Sequence, residues 1–329
     1  MAVHNKPTAF AAHHINNDIR MQSSSGGIFT AIAEYVIGNN GVVFGACFDN
    51  WFNVVHDYAE TSEDLQKMRG SKYVQSRIGS AFEQVGRFLD QKRLVLFTGT
   101  PCQIAGLKSY LRSDNEYLVT QDIICHGVPS PKAWNKYLEL FSKKGPIQTI
   151  SFRNKDTGWS EFSMKVTFAT EQYRRDLSKD YFLKAFLRNL CLRPSCYQCH
   201  FKTLHRESDI TLADFWGIEV VLPAMNDDKG ISLVLINSEK GKQVFQAISK
   251  DLICKPVDYL QATKYNKAAT QSISLPEKRQ DFLAHLNELP FDSLVEKHTK
   301  EKIRTIFRRF VLKIGSKTKK KLLHNTTKG

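Results

Sequence analysis

Apolar and polar positions along the chain follow two periods, and the switches between them mark out the elements. Ile28, Phe29, Ile32, Tyr35 and Val36 recur with helical spacing, which predicts a helix over 28–37. Residues 41–48 and 54–59 read as strands joined by the polar Asp49-Asn50-Trp51. A short apolar run at 93–97 predicts a buried strand followed by a helix at 104–111, and the unit repeats as a strand at 117–124 and a helix at 132–143. Such alternation is the signature of a parallel sheet covered by helices. From Pro146 the texture changes: 148–154 and 162–170 alternate like paired antiparallel strands, with 155–159 as the turn between them. A short apolar helix at 180–187 leads into a cysteine-rich stretch, after which 209–212 reads as a strand, 213–217 as its turn and 231–236 as another buried strand. The pattern predicts an α/β fold: a mostly parallel sheet with flanking helices in the N-terminal part, a mixed α+β second region, and a helical, strongly basic C-terminal tail. The expected boundaries are a lead-in over 1–22, a first α/β region over 23–145, a second region over 146–275 and the tail over 276–329.

Composition agrees with a folded body, since 42% of the 329 residues are hydrophobic. No apolar run is long enough to span a membrane, and the first ten residues lack the basic and apolar segments of a secretory signal, so the cytoplasm is the expected compartment. The net charge of +14 invites a nucleic-acid reading, but its location argues against one. Residues 297–329 hold twelve Lys and Arg against one acid, Glu301, so the rest of the chain is close to neutral and no nucleic-acid partner is expected. Seven cysteines is an odd count in a chain too long to need disulfide staples; thiols, some of them ligating metal, are the better reading.

The candidate chemistry gathers on those thiols. Cys196 and Cys199 form a Cys-x2-Cys pair, and the tight turn between them lets both thiolates reach one metal centre. A pair cannot fill a site alone. Thr100 as N-cap, Pro101 at the first helical position and Gln103 at the third set Cys102 in the first turn of a helix, where the dipole favours a thiolate. Cys125-His126-Gly127 lies just past the next strand. Parallel strands end along one edge, where open α/β sheets collect their ligands, so Cys102 and Cys125 are expected together. The four thiolates suit zinc in a closed structural site or a [4Fe-4S] cluster, and spacing alone leans slightly to zinc. Cys47 and Cys254 read as core residues, Cys191 as a neighbour of the site, and His126 as a loop histidine bonded to backbone.

Two further stretches bear on ligands. Gln22-Ser23-Ser24-Ser25-Gly26-Gly27 opens onto the helix at 28–37, whose free N–H groups suit an anion, although such a turn is more often a simple cap. It matches neither the P-loop nor the dinucleotide pattern of glycines. Arg69-Gly70-Ser71-Lys72-Tyr73-Val74-Gln75-Ser76 has no clear period and reads equally as a solvated or a ligand-contacting loop.

Taken together, Ser24-Ser25-Gly26-Gly27-Ile28-Phe29, Gly70 through Ser76, Gly99-Thr100-Pro101-Cys102-Gln103, Cys125-His126-Gly127, Cys196-x2-Cys199 and the stretch 209–217 resemble the coenzyme F420 hydrogenase/dehydrogenase beta-subunit family. The likeness extends from about Ala9 to about Glu277, with the motifs in the family's order. It implies an oxidoreductase that binds FAD and an iron-sulfur cluster and passes electrons between a two-electron carrier and one-electron centres. By this resemblance Cys102, Cys125, Cys196 and Cys199 hold a [4Fe-4S] cluster. Ser24, Ser25, Gly26 and Gly27, the loop residues Lys72, Tyr73, Gln75 and Ser76, and Thr100 line the flavin site. Lys72 and the helix N-terminus at Gly27 would favour an anionic flavin or its diphosphate. Asp214 and Trp216 read as supporting or packing residues.

The sequence departs from the family in carrying no cysteines before Ser23, where many relatives have a ferredoxin-like segment. A ferredoxin-like electron donor or acceptor protein is therefore the implied partner. No residue identifies a pocket for F420 itself. Bacterial relatives also accompany surface-polysaccharide genes, so the alternative function is a metal-stabilised binding or scaffold protein of a polysaccharide-assembly complex. In the tail, Ile303, Ile306, Phe307, Phe310, Val311 and Ile314 form an apolar helical stripe flanked by Arg304, Arg308, Arg309 and Lys313. Such a helix suits its own domain, an acidic partner or an anionic membrane surface, which would place the protein at the inner face of the membrane.

Overall fold

Runs rich in Val, Leu, Ile and Phe form the centre of the molecule, seen in a computed structural model that describes residues 7–300. The strands are β1 (Thr8–His14), β2 (Val42–Phe48), β3 (Val54–Ala59), β4 (Val95–Thr98), β5 (Leu118–Ile123), β6 (Ile147–Asn154), β7 (Ser163–Phe168), β8 (Gln172–Asp176), β9 (Ile210–Asp214), β10 (Ser232–Ile236) and β11 (Leu252–Val257). Eight of them make one sheet in the order β11-β1-β10-β9-β5-β4-β2-β3. The pairings β2–β4, β4–β5 and β5–β9 are parallel; β3 at one side and β10, β1 and β11 at the other add on antiparallel.

β4 and β10 are buried along their whole length, as strands covered on both faces must be. Period-two alternation decides which layer each residue meets. Val43, Leu96 and Val119 pack with the helix Ile28–Gly38 and with Val244 and Phe245 of the helix Glu239–Ala247. Their neighbours Val42, Phe44, Val95, Phe97 and Leu118 pack on the other face with the helices Ala81–Asp90 and Pro101–Leu111.

A second core surrounds the antiparallel sheet β6-β7-β8. Trp134 and Tyr137 of the helix Pro131–Leu138, Phe152 of β6, Phe182 of the helix Tyr181–Leu187 and Phe291 of the helix Phe291–Thr299 are all buried there.

The structure departs from the sequence reading at four places. Residues 1–22 contain β1, which lies between β10 and β11; its Thr-Ala-Phe-Ala-Ala-His-His run is alanine-rich and carries a weak strand signal. Residue 145 does not separate two sheets, because β9, β10 and β11 join the sheet that β4 and β5 begin. The expected turn 155–159 forms, but its two ends, Lys155 and Trp159, are buried. Helix Phe291–Thr299, assigned to the tail, is part of the second core, while the apolar stripe at 303–314 lies outside the described residues. Among the described residues no helix is long and apolar enough to cross a membrane.

Candidate functional site

The four cysteines reach one place because two parallel strands end beside each other and a later turn is pinned against them. β4 ends at Thr98, and Thr100 opens the helix Pro101–Leu111, with the Gln103 carboxamide accepting from the Thr100 N–H at 2.9 Å. Cys102 is exposed in the first turn, its Sγ 3.1 Å from Thr100 Oγ1. β5, paired with β4, ends at Ile123 and delivers Cys125. Cys196 sits on a single 3-10 turn, Pro194–Gln198, and Cys199 follows it. Backbone bonds lock that turn to the Cys125 loop: Arg193 N–H donates to Val128 O at 2.9 Å, and Val128 N–H to Cys196 Sγ at 3.5 Å. Gly127 makes the approach feasible. It has φ +150°, and a Cβ there would lie 3.3 Å from the Cys196 Cβ and 3.2 Å from Leu192.

Burial pushes the Cys125 thiol up to about 12, Lys202 pulls it down, and Cys196 and Cys102 push it up again. Cys196 is raised for the same first reason, with Cys199 and Cys102 adding to it. Cys102 and Cys196 thus lie within electrostatic range of Cys125, and Cys199 within range of Cys196. Among the described residues no group of three His, Cys, Asp or Glu side chains is drawn tightly enough onto one point to hold a single ion. Lys202 lies against the site, its ammonium donating to the carbonyls of Cys125, Ala268 (2.9 Å) and His126 (3.4 Å).

A solvent-open cleft of ≈ 230 Å³ is lined among others by Gln22, Ser24, Arg69, Lys72, Phe152 and Arg153. Its floor is basic. Arg153, at the end of β6, has 6% of its surface exposed; it pairs with Asp214 at 2.5 Å, lies over the Phe162 ring at 4.2 Å and reaches the Tyr73 hydroxyl at 3.4 Å. Burial works against its charge, and the Asp214 carboxylate overrides that. Asp214 is held in turn by the Trp159 indole N–H at 3.1 Å, and Trp159 stacks on Trp216. Arg69 pairs with Glu34 at 3.2 Å. The Nε atoms of both arginines, buried as they are, have no hydrogen-bond partner among the described residues.

The expected flavin residues divide between these two places. Of the Ser/Gly turn, Ser24 lines the cleft, where its Oγ accepts from the Ser71 N–H (2.6 Å) and hydroxyl (2.8 Å). Ser25 instead donates to Ile231 O at 2.8 Å, and the Gly26 N–H to Ser232 Oγ at 3.0 Å. Gly27, at φ +88°, caps the helix Ile28–Gly38. Lys72 borders the cleft, but its ammonium is turned back onto the carbonyls of Lys67, Arg69 and Gly70 at 2.9–3.3 Å. Burial lowers its pKa to about 7, with Cys47 opposing the shift. Its ammonium thus serves its own loop in this structure.

Tyr73 stacks on Phe186 at 4.7 Å, and Phe186 meets His126 edge-on at 5.1 Å, so a packed aromatic column runs from the cleft to the residue beside Cys125. His126 Nε2 lies 2.7 Å from Asn189 Oδ1, a side-chain partner instead of the expected backbone one. Gln75 and Ser76 stand at the cysteine end: the Gln75 N–H donates to Pro129 O at 2.9 Å, and Ser76 Oγ accepts from Gln103 at 2.8 Å. Thr100 is beside Cys102. Cys191 is fully buried in the second core.

Sequence reasoning passed over Arg153 and Lys202 and read Lys155 only as part of a turn. Lys155 donates to the carbonyls of Arg20, Ser25 and Lys229 at 2.7–2.9 Å, tying the second region to the Ser/Gly turn. The available signal was the run Arg153-Asn154-Lys155 directly after the apolar Phe152, two cations where a strand passes into a turn.

Two family models match this chain, both describing the beta subunit of coenzyme F420 hydrogenase/dehydrogenase: that of its N-terminal part over residues 9–83 and that of its C-terminal part over residues 92–258. A chain in the xenon-derivatised F420-reducing NiFe hydrogenase complex from Methanosarcina barkeri is similar in fold, with a TM-score of 0.53 and 19% identity over 88% of this chain and 90% of that one. No curated protein sequence matches.

Proposed function

The chain belongs to the coenzyme F420 hydrogenase/dehydrogenase beta-subunit family, an oxidoreductase family, and from that premise we propose that it carries a [4Fe-4S] cluster on Cys102, Cys125, Cys196 and Cys199 and an FAD in the basic cleft. The observation that supports this reading most is the meeting of four sulfurs from elements almost a hundred residues apart, fixed by the close approach of Gly127 to Cys196. Four thiol donors without a single-ion focus suit a cluster, in which each iron takes one thiolate, better than a closed zinc site. The cleft suits an anionic ligand through the charge of Arg69 and Arg153, which line it.

When bound, such groups would supply two-electron acceptance with one-electron release at the flavin and one-electron storage at the cluster. The chain's own residues do the rest. Asp214 keeps Arg153 charged at the cleft, Arg69 is aimed by Glu34, and Tyr73, Phe186 and His126 fill the space between the two places so that water does not. The Methanosarcina barkeri neighbour comes from a complex, and a redox partner protein fits this chain too.

Anaerobic iron, sulfide and flavin analysis tests the proposal. About four irons and four sulfides per chain are expected, with flavin released on denaturation. Cys102→Ser, Cys125→Ser, Cys196→Ser and Cys199→Ser should lose iron, and Cys191→Ser should keep it. A colourless protein holding one zinc per chain would refute the cluster.

A further inference from the structure

The cysteine site is backed by more buried positive charge than the fold itself accounts for. Lys202 packs its ammonium against the carbonyls of Cys125, His126 and Ala268. Behind it stands Arg206, whose side chain is only 3% exposed. Among the described residues Arg206 pairs with Asp122, at 3.6 Å, and Asp122 is so buried that its carboxyl is driven toward the neutral form despite that contact. Nε and Nη2 of Arg206, and Oδ1 of Asp122, have no hydrogen-bond partner among the described residues. A buried guanidinium with two open donors is costly unless a nearby anion offsets it.

Lys202 feels both sides of this arrangement. Burial lowers its pKa most; Cys125, Cys199 and Cys196 raise it, and Arg206 lowers it again. Half-buried Lys202 and the Arg206 side chain lie within electrostatic range of each other beside the four thiols, and Asp122 offsets their charge only in part. They are balanced by a centre of net negative charge on those thiols. A four-thiolate cluster is such a centre, and each electron it accepts makes it one unit more negative, with no bond made or broken.

We propose that Lys202, backed by Arg206, sets the reduction potential of the four-cysteine centre by stabilising its reduced state. This rests on the cluster reading above. Both are positioning charges, since neither is a ligand. Lys202 bonds the Cys125 loop directly, whereas Arg206 pairs with Asp122, which ranks their effects.

The test is an anaerobic redox titration with dithionite, followed by electron paramagnetic resonance, on the reconstituted full chain and on Lys202→Met, Lys202→Arg and Arg206→Gln. Lys202→Met is expected to retain iron and to become at least tenfold harder to reduce, a shift of about 59 mV to more negative potential for one electron. Lys202→Arg should stay near wild type, and Arg206→Gln should move in the same direction as Lys202→Met by less. A Lys202→Met protein with full iron content and an unmoved midpoint overturns the proposal. If that variant instead loses iron, Lys202 is needed as a clamp on the Cys125 loop, and Arg206→Gln decides: an unmoved midpoint there overturns it. If wild type takes up no iron and sulfide, the cluster reading fails and this one with it, a result read from composition before any titration.

Discussion

Arg153 shows how much of the cleft depends on one buried charge. Its guanidinium is held by Asp214 and by the Phe162 ring, with almost no access to water. Arg153→Met would leave Asp214 facing an apolar stem, and breaking a buried pair from one side costs about 3 kcal/mol. Denaturant unfolding should show that loss, and flavin content should fall with it. Asp214→Asn, which can still meet the Trp159 indole, should cost less. His56 makes a different prediction. Burial holds it below its ordinary 6.5, with Nε2 2.9 Å from Thr98 O and Nδ1 unpartnered. The unfolded chain therefore takes up a proton first as pH falls through that value, so stability drops from there until the folded-state pKa is reached. Thermal melts between neutral and mildly acidic pH should show the fall, and His56→Phe, which keeps the stack on Phe97, should lessen it. His13, His14 and His126, also lowered by burial, leave a residual slope. At this scale the sequence was legible where chemistry is local. Thr100 and Gln103 find each other within one helical turn, whereas the partner of Arg153 lies 61 residues away and no spacing announces it.

At the scale of elements, the turn before the first long helix is shaped by close approach. A Cβ on Gly26 would lie 2.5 Å from Ala12 O and 2.9 Å from Ser232 N, both backbone atoms of neighbouring strands. Gly26→Ala should destabilise the protein by about 1–3 kcal/mol, as overpacking does, and displace Ser24 from the cleft. Gly38 is the opposite case. It ends the helix Ile28–Gly38 with open space where a Cβ would go, so Gly38→Ala should stabilise by roughly 0.5 kcal/mol in the same unfolding assay. Helices and apolar strands were legible because their patterns are strong: β4 and β10 are apolar but for one terminal residue each. β1 and β8 were not, being alanine-rich and Gln-Tyr-Arg-Arg-Asp respectively. Their strand state comes from pairing with neighbours, which a single segment does not encode.

For the whole molecule, the division into two regions was legible only as a change of texture. The antiparallel β6-β7-β8 sheet does break the rhythm at residue 146, but the chain returns to the first sheet at β9 and stays there through β11. Local patterns cannot show such a return, because strand order is a property of packing. β1 has both of its neighbours on the far side of that excursion: Ala12 pairs with Ser232 and with Cys254. A chain truncated after Ile231 is therefore expected to leave β1 unpaired, and limited proteolysis should cut within 7–27 in that fragment while sparing the same segment of the full chain. The position of β1 also sets an order of events during synthesis. Among the described strands it is the first to be made and among the last to find its place, waiting for β10 and β11. The Gly26 turn, which leans on β1 and Ser232, cannot close before then, so any cofactor captured there is captured only once β10 has been made and paired.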